Sequence, residues 1–169
     1  MGKTTPVLMG RTTRVVLEGV AAGLVGAVAV ALVLGLWSLF SGRPFLFVPW
    51  ALGSALLGTG LAGDVTPEPI GVYNALHVSV SVVIGLAASV FVARAESRPG
   101  LTHLLALLAL VGVVYGAVLM GAFAVETNDV VSWTAVLLAN GAGAVATGIY
   151  LFRAHPRLRL VPDITPTEL

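Results

Sequence analysis

The sequence predicts an all-α integral membrane protein: a four-helix bundle with an interfacial or re-entrant segment on the outer side, between helices one and two. Three observations carry that prediction. Hydrophobic residues make up 57% of the chain and charged residues only 10%, against about 25% charged in soluble domains. The apolar residues gather into four stretches, each longer than the ~20 residues an α-helix needs to cross hydrocarbon. The arginines and lysines fall almost entirely on one side of those stretches.

The first stretch covers residues 15–40, the second 70–93, the third 101–125 and the fourth 130–152. Lipid offers the backbone no hydrogen-bonding partner, so spans of this length are helices. Residues 44–62 are apolar too, but Pro44 and Pro49 interrupt the start and Gly53, Gly58, Gly60 and Gly63 loosen the end. This segment reads as interfacial or re-entrant, with a short helix over residues 49–57 whose first turn tolerates Pro49.

Charge supports four spans rather than five. With four, Lys3, Arg11, Arg14, Arg94, Arg98, Arg153, Arg157 and Arg159 share one side and Arg43 alone lies on the other. Short cytoplasmic loops are rich in Lys and Arg. The expected location is therefore the inner (cytoplasmic) membrane, multi-pass, with both termini cytoplasmic. A fifth span at 44–62 would put the N- and C-terminal arginines on opposite faces. Asp64, Glu68, Glu126 and Asp129 then face outward, and Trp37, Trp50, Tyr73 and Trp133 form an aromatic belt at the outer boundary. The first stretch is too long for a cleavable signal, Glu18 interrupts it, and no small-residue cleavage site follows Phe40. The expected organisation is a four-helix transmembrane domain over 1–155 and a short cytoplasmic tail over 156–169, broken by Pro156, Pro162 and Pro166.

Small residues recur at four-residue spacing: Gly19 and Gly23 in helix one, Ser81, Gly85 and Ser89 in helix two, Gly112 and Gly116 in helix three, and Gly143 with Ala135, Ala139 and Thr147 in helix four. In lipid, close backbone approach through small residues drives helix association. These stripes are expected to pack the bundle internally. Four helices cannot use every stripe internally, so some contact with another protein is also expected.

Three polar residues inside the spans stand out, because ionisable groups there are functional candidates by default. Glu18 lies in the first turn of helix one, where the helix dipole favours a carboxylate. Its expected role is structural, paired with Arg14, Arg94 or His103. His77 heads the Tyr73, His77, Ser81, Gly85, Ser89 face of helix two, so it faces protein rather than lipid. Asn140 in helix four has a similar depth, and a His77–Asn140 hydrogen bond is the expected clamp between helices two and four. The alternative for His77 is a cofactor: one axial bond to a haem or chlorin, or a hydrogen bond to a quinone. His103 lies too far from His77 in depth to complete a bis-histidine site, and His155, just beyond helix four, is expected on the surface.

Other chemistry finds no pattern. The absence of cysteine excludes disulfides, thiolate metal sites and covalent c-type haem. There is no phosphate-binding glycine loop ahead of Gly2-Lys3-Thr4, no hydrolase constellation, no carboxylate near a span centre and no paired broken helices of transporter type. A net charge of +1 gives no reason to expect a nucleic-acid partner.

The chain resembles an uncharacterised bacterial family of small four-span integral membrane proteins. The shared marks are Glu18-Gly19-x-x-Ala22-Gly23, Gly42-Arg43-Pro44 with Pro49 and Ala51-Leu52-Gly53, His77, Asn140-Gly141 and His155-Pro156-x-Leu158-Arg159, spanning residues 17–159. The resemblance implies a topology and no activity. The expected function is a non-enzymatic accessory or structural subunit of a larger membrane complex, energy-converting assemblies among the candidate hosts. Its partners would be the bilayer and other membrane subunits or a second copy, with no cofactor. A haem- or quinone-binding electron carrier using His77 is the runner-up, and a small transporter the third class.

Reporter fusions after Ser41, Ser97, Asn128 and Leu169 are expected to read out, in, out and in. A cytoplasmic signal at Asn128 would contradict the four-span assignment.

Overall fold

A computed structural model describes residues 5–61, 64–95 and 131–155, together with Gly112 and Gly116, both helical. Among the described residues there are four helices and no strand: α1 (Thr5–Phe40), α2 (Phe47–Leu57), α3 (Pro67–Ala95) and α4 (Trp133–Ala154). Three of them, over Thr12–Phe40, Pro67–Ala95 and Thr134–Ala154, are long and apolar enough to cross a membrane. The 101–125 stretch, apart from its two described glycines, and the 156–169 tail lie outside the described residues.

Local chemistry sets the helix ends. α1 starts earlier than its apolar stretch, at Thr5, and stops at Phe40. There Arg43 N–H donates to Ser38 O at 2.9 Å, and Gly42 takes the left-handed conformation (φ 73°) that glycine adopts without strain. α2 ends the same way, with Gly58 at φ 66° and Thr59 N–H reaching back to Ser54 O. α3 opens on Pro67 and Pro69, whose missing N–H groups would have had no intrahelical partner there, and Glu68 suits the positive end of the helix dipole. Ser132 caps α4 by accepting a hydrogen bond from Thr134 N–H at 3.2 Å.

α1 is the central element. It packs against α3 on one side and α4 on the other, whereas α3 and α4 barely meet. On the α3 side, Gly19 and Gly23 face Gly85, Leu86 and Val82 so closely that a Cβ on Gly85 would overlap the Gly19 and Gly23 backbone. One turn farther along α3, the buried Ser89 hydroxyl donates to Val15 O at 2.8 Å. On the α4 side, Gly26 meets Gly143 and Thr147, and the Thr147 hydroxyl donates to Ala22 O at 3.2 Å. These polar groups reach backbone carbonyls because the helices are close enough for short side chains to bridge.

α2 packs chiefly against α3, and more lightly against α1, at the end remote from Arg14, Arg94 and Arg153. Seven consecutive residues, Val48 to Ser54, are buried. Four of them, Val48, Trp50, Ala51 and Leu52, join Val30, Leu34, Tyr73, Val131, Ala135, Val136 and Ala139 in one apolar core. Gly53 lies directly on the Pro69 backbone, where a Cβ would overlap it, and the Phe45 ring rests against Gly35. The segment is therefore packed inside the protein and is not laid along its surface. Trp50 and Tyr73, expected in an interfacial belt, are each only 4% exposed within this core. Trp37 packs partly against the same core.

The outward faces of the long helices are apolar. Leu24, Val28 and Leu32 on α1, Val83 and Ile84 on α3, and Val145 and Ile149 on α4 are all exposed. That pattern suits a chain whose solvent on those faces is lipid.

Gly85→Leu places a branched side chain on the α1 backbone. It is expected to lower thermal stability in detergent by at least the ~1–3 kcal/mol typical of overpacked cores. Val83→Leu, on the exposed side of α3, is expected to leave the unfolding temperature unchanged. Equal melting of Gly85→Leu and wild type would contradict the close α1–α3 contact.

Candidate functional site

Two polar clusters lie within the described helices, one at the basic end and one midway along α3. At the basic end, α1 enters beside the last turn of α4. Arg14 and Glu18 are one turn apart on α1, and Arg14 Nε donates to Glu18 Oε1 at 2.7 Å. Arg14 Nη2 also donates to Ala154 O at 3.3 Å, reaching across to a carbonyl at the α4 C-terminus. His155 follows that carbonyl, and its Nε2 lies 3.0 Å from Glu18 Oε2. This contact has the distance of an ion pair without the alignment of a hydrogen bond. The Glu18 and His155 side chains are 12% and 6% exposed, whereas Arg14 is 64% exposed.

The cluster corrects one expectation. His155 is buried at the α1–α4 junction, not on the surface. The end of α4 folds against α1, and the backbone at His155, bonded to Leu151 O, turns the imidazole inward. The signal was available as depth, since a chain with both termini on one side puts residue 155 level with Glu18. Of the three candidate partners for Glu18, Arg14 is engaged and His103 lies outside the described residues.

The second cluster centres on His77. Its ring stacks on Tyr73, with centroids 5.5 Å apart and planes inclined by 3°. An imidazole N–H donates to the backbone of Ala27 on α1. Among the described residues His77 Nε2 is buried without a hydrogen-bond partner. A buried imidazole nitrogen of this kind, in the neutral ring, is able to accept a hydrogen bond or bind a metal.

Asn140 does not join this cluster. Its Nδ2 donates to Val136 O, one turn back on its own helix, at 2.8 Å. Its Oδ1 is turned toward Gly116, 3.8 Å from where a Cβ there would lie. The expected His77–Asn140 clamp is therefore replaced by two separate contacts. The two residues sit on α3 and α4, which barely meet because each packs on α1.

The glycine and serine stripes fall into two groups. Gly19, Gly23, Gly26, Gly85, Ser89 and Gly143 lie at the α1–α3 and α1–α4 contacts, with the Ser81 backbone against Gly23. Among the described residues, nothing lies within 4 Å of where a Cβ on Gly112, Gly141 or Gly148 would be. Among the described residues no group of three or more His, Cys, Asp or Glu side chains could hold a metal ion.

Comparison with family models, with curated proteins and with solved structures gives no match.

His77→Ala and Asn140→Ala have different partners, so their stability losses in detergent are expected to add to within about 0.3–0.5 kcal/mol. Glu18→Gln and His155→Ala share a contact and are expected to couple by roughly 0.5–3 kcal/mol. Strong coupling between His77 and Asn140, or none between Glu18 and His155, would contradict these assignments.

Proposed function

We propose that this protein is a non-enzymatic integral membrane subunit that packs against other membrane proteins, with its basic end and both termini in the cytoplasm. The carrying observation is how little of α3 is used internally. Along its 29 residues, only Pro69, Tyr73, Gly85, Ser89 and Ala95 are buried. Val72, Leu76, Val80, Val83, Ile84 and Phe91 remain exposed along the same helix. The open glycines Gly141 and Gly148 on α4 add small-residue surface of the kind that admits a close neighbour. The two polar clusters bind helices together, which is work a scaffold requires. Membership of the four-span family that the motifs resemble is part of the same proposal.

A second reading rests on His77. A buried imidazole nitrogen with no hydrogen-bond partner among the described residues is a group able to ligate a metal in its neutral form. It would suit a single axial bond to a haem or a hydrogen bond to a quinone.

Native mass spectrometry of gently solubilised membranes is expected to find the chain with at least one stoichiometric protein partner and without haem mass. The same preparation is expected to lack a Soret band. A free monomer under conditions that preserve other complexes would overturn the subunit reading. A Soret band lost in His77→Ala would establish the second.

A further inference from the structure

We draw no further inference here: the strongest candidate, the exposed apolar face of α3 over Val72, Leu76, Val80 and Val83, is the surface on which the subunit reading already rests, and nothing in the structure shows what covers it.

Discussion

Leucines and valines lose nothing by facing lipid, so two helices in a membrane stay together only where their backbones come close enough for dispersion and short hydrogen bonds to act. In this protein that closeness is concentrated on α1. Gly19 and Gly23 admit α3, and Gly26 admits α4 at Gly143 and Thr147. The hydroxyls of Ser89 and Thr147 then reach the α1 carbonyls of Val15 and Ala22. A side chain of any size at these glycines would hold the helices apart and take both hydrogen bonds with it. The rest of the fold inherits its geometry from this double approach, because α3 and α4 are placed by α1 and not by one another.

At the end remote from the arginines α2 packs onto that arrangement, chiefly against α3. A helix of 11 residues is about 16 Å long at 1.5 Å per residue, roughly half the hydrocarbon thickness. Burying it against its neighbours satisfies the membrane's demand that irregular backbone be enclosed by protein, since its entry and exit turns close their own hydrogen bonds. Because α3 and α4 barely meet, His77 and Asn140 find separate surroundings. His77 turns to Ala27 on α1, and Asn140 turns to its own helix and toward Gly116.

Much of this architecture was legible in the sequence, and the exceptions have a common cause. The all-helical class and the end of α1 followed from apolar length, and the end of α2 from the glycines that follow Leu57. Four-residue glycine spacing marked helix faces but carried no information about which helix each face would meet. Depth arguments placed His77 and Asn140 at one level, yet level is only one coordinate, and neighbourhood around the bundle depends on how each helix packs on α1. Trp50 and Tyr73 read as interfacial because aromatic residues near a span end usually are. Here both belong to the apolar core. His155 failed for the opposite reason: it lies past the last apolar residue, where polarity suggests solvent, but α4 ends against α1 and Glu18 is there to receive it.

Disulfide trapping addresses the central claim, that α1 is the shared neighbour of two helices that do not meet, most directly. The chain contains no cysteine, so introduced pairs report without background. Ala22→Cys with Thr147→Cys is expected to cross-link rapidly under mild oxidation in membranes, because the Thr147 hydroxyl already touches the Ala22 carbonyl. His77→Cys with Asn140→Cys is expected to remain uncross-linked. Efficient trapping of the 77–140 pair with failure of the 22–147 pair would contradict the account.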